Sequence, residues 1–284
     1  MQKLKYRLDR STLYTIYISF IRPKLEYGSI VWDDCTQYDK CRLENIQHRC
    51  ARIITGAKKG TSHELLYKEL PIPSLAVRRK EYKLKFMYNV MHDRFPSYLY
   101  ECIPENVTNR YNLRNQLCVP NFKLRTVKFE HSLLPQSIKL WNDLPVNVRS
   151  MDNYNEYKSS ICCKSAMNKL CNGVTRKLNI IHAQLRMKCS NLNHHLFNLH
   201  VIESPFCSVC KNIMEDNFHY FFVCPLYHIE RNVLFSQVNN ILLNKDTLTV
   251  NILLNGSKYL NLKKNAEIIQ LVENYIHNTG RFQT

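Results

Sequence analysis

The chain has 284 residues, of which 45% are hydrophobic, and its 40 Lys and Arg residues against 23 Asp and Glu residues give a formal net charge of +17. This length and hydrophobic content are enough for two domains with buried cores, and with six glycines they exclude a disordered, collagen-like or Gly-rich chain. A charge of this size favours nucleic acid as a partner over a merely solvated basic surface, and it does not favour a membrane, because no basic amphipathic stretch carries a continuous apolar side.

No segment has the apolar length of a transmembrane helix or of a secretory signal peptide, so we expect an intracellular protein. In that setting the twelve cysteines are expected to be reduced thiols. Nine of them lack metal-like spacing and are predicted to be small buried residues: Cys35, Cys41, Cys50, Cys102, Cys118, Cys162, Cys163, Cys171 and Cys189. The N-terminal residues already follow a helical pattern, which predicts a fragment of a longer protein.

The first region, 1–93, is predicted to be helical. Apolar residues at helical spacing indicate two helical pieces within 9–33, with a kink or a new start at Pro23. A clearer apolar stripe predicts a helix over 39–57 that stops at Gly56.

Two further helices are predicted before residue 93. Thr61 and Glu64 have the spacing of a capping box for a short helix that ends before Pro71. Ser74 is the predicted N-cap of a helix that runs to about Met91.

Residues 94–150 contain five prolines and are predicted to be an extended, turn-rich connector with a short helix near Ile138–Trp141. The third region, 151–284, is predicted to be helical again. Its expected helices run from Asp152 to about Leu170 and over 176–188, 192–199, 225–243 and 262–278.

The most specific motif lies within 205–224, where Cys207, Cys210, His219 and Cys224 have the spacing C-x2-C-x8-H-x4-C. Zinc takes four such ligands in tetrahedral geometry, and a two-residue gap lets one tight turn direct two thiolates to the same point. We predict a zinc knuckle, rather than stray residues in a Cys-rich chain. Because the protein fills all four positions, the site is predicted to be structural, with no open position for a catalytic water.

Residues 215–223 look helical, which places His219 on a helix and Cys224 just past its end. Four aromatic residues, Phe206, Phe218, Phe221 and Phe222, are expected to form a small apolar core around the metal. A segment this short cannot bury enough apolar surface by itself, so the metal would supply folding energy, about 10–16 kcal/mol in isolated zinc peptides.

Several blocks of the sequence, in the same order, resemble non-LTR (LINE-type) retrotransposon reverse transcriptases, most of all the jockey and chicken-repeat groups. The block Tyr14–Trp32 resembles the thumb segment of these enzymes. The other blocks are Leu43–Arg49, Tyr111–Asn115, Pro135–Pro145, Leu192–Phe197 and the knuckle with Cys224–Tyr227.

The resemblance implies a mainly α fold made of a helical thumb-like bundle, an irregular Pro-containing connector and a small CCHC zinc knuckle flanked by helices. In such enzymes thumb helices grip the template–primer duplex, and the C-terminal knuckle binds RNA or target DNA. The palm with the catalytic aspartates, the fingers and the endonuclease would lie upstream of Met1. The chain is therefore expected to bind nucleic acid, to act in the nucleus with the palm and fingers as partners, and not to extend a primer by itself.

Basic residues on the two strongest predicted helices are the expected phosphate contacts: Arg42, Arg49, Arg52, Arg78, Arg79 and Lys83. In the knuckle, Lys211 and Tyr220 are expected to contact unpaired bases by charge and stacking. The alternative is a zinc-stabilised protein-interaction module without a nucleic-acid role.

One pair of acidic residues, Asp33 and Asp34, follows Val31-Trp32 and looks like the aspartate box of a polymerase. A two-metal site needs a further carboxylate from a separate upstream strand, and only 30 residues precede this block. We therefore expect an acidic pair at a helix end, without a catalytic role.

Overall fold

The computed structural model describes residues 1–70, 72–104, 118–162, 175–242 and 247–282. Most of these residues are helical, as predicted, and within these ranges the only β pairing is one isolated antiparallel bridge between Phe206 and Met214. The helices up to residue 104 are α1 (Arg10–Ile16), α2 (Arg22–Glu26), α3 (Ser29–Trp32), α4 (Gln37–Thr55), α5 (His63–Glu69), α6 (Leu75–Met91) and α7 (Ser97–Glu101). The helices after it are α8 (Val127–Glu130), α9 (Leu133–Asn142), α10 (Val146–Arg149), α11 (Tyr154–Ile161), α12 (Arg176–Arg186), α13 (Asn193–Asn198), α14 (His228–Ile241), α15 (Val250–Asn255) and α16 (Leu262–Asn278).

Short turns of other helix types connect some of these helices. Gln2–Leu4 and Pro225–Tyr227 are 3-10 turns, and Tyr17–Ile21 and His219–Val223 are π turns. Pro23 lies in the first turn of α2, where its missing N–H costs nothing, so the predicted division of 9–33 is confirmed.

Local signals set the ends of two long helices as predicted. The Ser74 side chain accepts a hydrogen bond from the Val77 N–H and caps α6. Gly56 follows α4 with a φ of +76°, a value that favours glycine. An added Cβ at Gly56 would lie 2.5 Å from the Ile180 side chain, so both conformation and space require glycine there.

The predicted cap of α5 is wrong by one residue. Ser62, and not Thr61, accepts the hydrogen bond from the Leu65 N–H at 3.3 Å. The Thr61 hydroxyl, one residue before the N-cap, instead donates to the Lys58 carbonyl at 2.9 Å.

The region 94–150 is more helical than predicted in its described part. The short helix expected near Ile138–Trp141 is the ten-residue α9, with Pro135 in its first turn. Ile138 and Trp141 are buried against α6 rather than lying in an extended connector. Prolines suggest an extended chain, but proline is also compatible with the start of a helix, and this accounts for the difference between the predicted connector and the observed helices.

The predicted helices after residue 150 are present where the structure describes them. α16 has the predicted bounds, and the bounds of α12 and α13 differ from the predicted ones by no more than two residues. α14 begins later than predicted, after a 3-10 turn. The helix expected from Asp152 to about Leu170 is the shorter α11, Tyr154–Ile161, and its predicted end is wrong because the backbone is already extended at Cys162. Residues 163–174, like the block Tyr111–Asn115, lie outside the described residues. α15 was not predicted from the sequence.

The chain divides into two compact units whose bounds differ from the three contiguous regions expected from the sequence. Unit 1 comprises Met1–Ser19, His48–Pro71 and Met167–Thr284, and unit 2 comprises Phe20–Gln47 and Ile72–Ala166.

Unit 1 has an aromatic core that includes residues of the predicted knuckle. Cys207, Cys224, Tyr220 and Phe221 pack with apolar residues of α14 and α16 in one buried cluster. Beside it lies a buried charged group in which Glu69 pairs with both Arg10 and Arg186.

The core of unit 2 is built by α6, α9 and α11. Tyr88 and Tyr157 stack with ring centroids 4.3 Å apart, and Trp141 lies beside Tyr157.

Of the nine cysteines predicted to be small buried residues, Cys50 and Cys189 are buried, whereas Cys41 and Cys102 are exposed and Cys35, Cys118 and Cys162 are half-buried. The structure thus corrects that prediction for five of them.

Candidate metal centre

A tight turn within 205–215 positions the first two candidate ligands. The Cys207 N–H donates to the Ile213 carbonyl at 2.9 Å, and the Lys211 N–H donates to the Cys207 carbonyl at 2.8 Å. Lys211 has a φ of +56°, so the chain reverses directly after Cys210. Both thiols therefore lie on the inner side of one turn.

The π turn His219–Val223 positions the other two. The Asp216 carboxylate accepts the His219 N–H at 2.8 Å and fixes the start of this turn. The Cys224 N–H donates to the His219 carbonyl at 2.8 Å, five residues back. This wider turn brings Cys224 onto the same side as His219, as the sequence predicted.

The four side chains come together, each with one ligand atom, and these atoms all lie within 4.8 Å of one another. Cys207, His219 and Cys224 are buried, and Cys210 is partly exposed. Among the residues that the structure describes, this is the one group that could hold a metal ion.

His219 has the features of a ligand. The residue is 2% exposed, and neither of its ring nitrogens has a hydrogen-bond partner. A buried imidazole without partners is costly, and a metal ion would satisfy one nitrogen. Burial lowers the pKa of His219, which favours the neutral form that binds metals.

The pKa values of the Cys210 and Cys224 thiols are raised, which favours their neutral forms in the absence of a cation. Burial raises the pKa of Cys224 to about 12, and burial together with Cys207 raises the pKa of Cys210. A metal ion that binds here must therefore displace thiol protons.

Three charged residues that the sequence analysis missed hold the site in place. Glu215 is buried, pairs with Arg281 at 2.7 Å and accepts the Asn193 N–H at 2.9 Å. Arg231 donates to the Cys224 carbonyl at 2.6 Å. Glu215 and Arg281 are 66 residues apart, so no local pattern could have indicated their pairing.

The aromatic residues around the knuckle divide into two sets. Phe221 is buried as expected, but Phe206 and Phe218 are exposed, which corrects the prediction that they form a core around the metal. Tyr220 is fully buried, its hydroxyl is hydrogen-bonded to Thr279 at 2.7 Å, and it therefore cannot stack on a base. Lys211 is exposed, as its predicted role requires.

The three predicted phosphate contacts on α6 form ion pairs with acidic residues of unit 2. Arg79 and Lys83 are buried, and each lies 2.6 Å from the Asp33 carboxylate. Arg78 pairs with Glu26 and donates to the Tyr82 hydroxyl at 2.8 Å. These side chains balance acidic residues of their own unit, so their prediction as phosphate contacts is not supported.

Asp33 is thus a partner for cations of the chain. Burial would raise the pKa of its carboxyl group, but Lys83, Lys40 and Arg79 outweigh burial and hold the pKa below its usual value. Asp34 is exposed. The pair lies just after the end of α3, which is the helix-end position expected from the sequence.

The predicted contacts on α4 are more accessible. Arg42 is exposed and lies 3.7 Å from the Asp39 carboxylate. Arg49 is exposed and donates to the Gln2 side chain at 2.8 Å, and Arg52 is half-buried.

No helix in the described part of the chain combines the length and the hydropathy that crossing a membrane requires. No family model, no curated protein and no solved structure matches the chain.

Proposed function

We propose that the chain is a nucleic-acid-binding protein that corresponds to the thumb, connector and zinc knuckle of a non-LTR reverse transcriptase, without the catalytic palm. The observation that carries this proposal is the net charge of +17, because a polyanion would relieve its self-repulsion. The ordered sequence blocks that resemble this family support it. The palm and fingers are the proposed protein partners, and target DNA in the nucleus is the proposed setting.

The structure offers a basic surface in unit 1 for this role. Residues 48–62 contain Arg49, Arg52 and two lysines but no acidic residue, and residues 1–8 contain three basic residues and no acidic one. The hydrogen bond between Arg49 and Gln2 brings the two segments together. We place the phosphate contacts here rather than on α6.

The expected binding depends strongly on salt. Each phosphate contact should lower the logarithm of the affinity by about 0.7–0.9 per tenfold rise in salt, because bound counterions are released. Replacing Arg49 and Arg52 by Ala should reduce this slope by about one to two contacts. Fluorescence anisotropy with labelled single- and double-stranded oligonucleotides, recorded over a range of salt concentrations, measures this slope.

A matched control is the double change of Lys263 and Lys264 to Ala, two exposed residues of α16. If both double variants lose the same slope, the contact is not located at Arg49 and Arg52. If the unmodified protein shows no salt-dependent binding, the nucleic-acid function itself is wrong.

We further propose that the metal of the candidate centre is structural zinc. Three sulfur atoms and one imidazole form a ligand set that zinc prefers, and all four positions come from the protein. Metal analysis of reduced, chelator-free protein should find about one equivalent of zinc, lost on Cys210→Ser. The Cys41→Ser variant, which changes an exposed cysteine outside the group, should retain it. Protein without zinc would contradict the proposal.

One observation favours the alternative of a protein-interaction module for the knuckle itself. Residues 203–233 contain two basic and four acidic side chains, the reverse of the balance in the whole chain. Nine large apolar side chains of this segment are exposed. Lys211 is the one exposed Lys or Arg residue of this segment, because Arg231 is buried.

A further inference from the structure

Two aromatic rings at the ends of α2 are highly exposed. Phe20, in the π turn before the helix, is 69% exposed, and Tyr27, which follows its last residue, is 87% exposed. Lys24 lies between them in the sequence and is also exposed. Large rings are mostly buried in folded proteins, so two on one short segment indicate a surface that binds a partner.

These three residues lie on one side of the helix. Their spacing is i, i+4 and i+7, which places side chains along one face. Leu25, on the opposite side, is buried in unit 2. We call the surface formed by Phe20, Lys24 and Tyr27 the aromatic face.

The charge of the aromatic face is positive. Glu26 is the one acidic residue between positions 20 and 32. Its carboxylate is directed to α6, where it accepts the Tyr82 hydroxyl at 2.8 Å and pairs with Arg78. The acidic group of this segment is therefore already neutralised, and the Lys24 ammonium is left on the aromatic face.

The backbone at Tyr27 is held in place. The indole N–H of Trp32 donates to the Tyr27 carbonyl at 2.8 Å, and Gly28 turns the chain with a φ of +61°. A ring on a fixed backbone loses less conformational entropy when a ligand stacks on it.

We propose that the aromatic face binds an unpaired strand of nucleic acid, with bases stacked on Phe20 and Tyr27 and a phosphate held at Lys24. Exposed rings beside cations are the features that single-strand binding uses. Seven residues of helix rise about 10 Å, which spans about three nucleotides at the 3.4 Å rise of stacked bases.

Other occupants fit less well. The bases of a duplex already stack on one another, so they are not free to stack on these rings. An apolar protein surface would bury the Lys24 ammonium, which is costly without an acidic partner. The net charge of +17 favours a polyanion.

The inference rests on the proposed nucleic-acid function and adds to it the form of the ligand and a contact site in unit 2. It also differs from the resemblance to a polymerase thumb, which implies a duplex.

The test compares the affinity of the full-length protein for a labelled single-stranded DNA of about 15 nucleotides with its affinity for the same sequence as a blunt duplex. Tyr27→Ala should weaken binding of the single strand about tenfold and leave binding of the duplex unchanged. The salt dependence should stay the same, because no phosphate contact is removed. Lys24→Ala should instead reduce the slope for the single strand by about 0.7.

Two substitutions separate stacking from a merely apolar contact. Tyr27→Phe keeps the ring and should retain the affinity of the unmodified protein, whereas Tyr27→Leu should lose as much as Tyr27→Ala. The matched control is Tyr98→Ala, which removes a tyrosine of α7 that is 61% exposed and lies outside the aromatic face. It should leave the affinity unchanged. Because both tyrosines are exposed, thermal unfolding of the variants should match that of the unmodified protein.

The results that would overturn the inference are distinct from those that would overturn the proposed function. Salt-dependent binding that is insensitive to Tyr27→Ala, or equally weakened by Tyr98→Ala, would contradict the aromatic face alone. So would full affinity in Tyr27→Leu, or an equal loss for single strand and duplex in Tyr27→Ala. If the unmodified protein binds neither form of DNA, both proposals are wrong.

Discussion

His182 shows how one buried side chain links stability to pH. The residue is 2% exposed in unit 1, and its Nε2 lies 3.0 Å from the Leu254 carbonyl, to which the neutral ring donates. Its Nδ1 lies 4.0 Å from the Glu273 carboxylate. Burial, and next the nearby Arg186, lower the pKa of His182 to about 3.

Because folding lowers the pKa of His182, this residue makes the folded protein less stable as the pH falls. A histidine in the unfolded chain has a pKa of about 6.5. As the pH falls below that value, the unfolded chain binds a proton at His182 that the folded protein does not bind. The contribution of His182 is complete above the unfolded pKa and is lost as the pH falls towards the folded one. Between about pH 7 and pH 5 the loss should be about 2 kcal/mol.

His182→Gln removes the titration and keeps an N–H within reach of the Leu254 carbonyl. Urea unfolding of both proteins at the two pH values measures the difference, and the variant should lose about 2 kcal/mol less stability on acidification. Any release of metal from the candidate centre affects both proteins equally and cancels. Equal losses would mean that His182 is not protonated on unfolding in this range.

At the scale of helices, α6 has charged residues on the side that faces the core of its unit. Arg79 and Lys83 are buried because α3 ends at Asp33, whose carboxylate accepts both. A buried cation without its partner is destabilising. Asp33 at the end of the four-residue α3 therefore stabilises α6, the longest helix of the core of unit 2.

Asp33→Asn should destabilise unit 2 by about 3 kcal/mol, because Lys83 and Arg79 would lose their counter-charge. The neighbouring Asp34→Asn is the matched control, since Asp34 is exposed, and it should change the free energy of unfolding by less than about 0.5 kcal/mol. Chemical unfolding followed by tyrosine and tryptophan fluorescence compares the two. A similar effect of both substitutions would contradict the role assigned to Asp33.

The success of sequence reasoning at this scale depended on the distance between partners. Ser74, Gly56 and the Cys207–Cys210 pair act on residues a few positions away. Their patterns correctly predicted two helix ends and the clustering of the four Cys and His side chains. Arg79 and Lys83 looked like surface residues because their partner Asp33 lies about 50 positions earlier. The burial of Tyr220 likewise depends on α16, which the local pattern of the knuckle does not contain.

At the scale of the whole molecule, the candidate metal centre belongs to the core of only one unit. Cys207 and Cys224 pack in the same cluster as Tyr275 of α16 and Leu234 of α14. Losing the metal should therefore loosen that cluster as a whole, and not the knuckle alone.

Hydrogen exchange before and after chelation tests this expectation. Backbone amides of α12, α14 and α16 should lose protection when the metal is removed, whereas those of α6 and α9 in unit 2 should keep theirs. Metal analysis of the same samples confirms removal. Unchanged protection in unit 1 after complete removal would show that the four ligands do not stabilise its core.

The division of the chain also has a consequence during synthesis on the ribosome. Unit 2 is complete once residue 166 has emerged. Met1–Ser19 and His48–Pro71, in contrast, belong to a unit whose remaining residues, Met167–Thr284, are made only after unit 2. At about 5–20 residues per second, the buried side chains of α1 and α5 wait on the order of ten seconds for their packing partners. Residues 1–19 and 48–71 thus leave the ribosome before unit 2 is complete but fold after it, and their apolar side chains are open to aggregation during that interval.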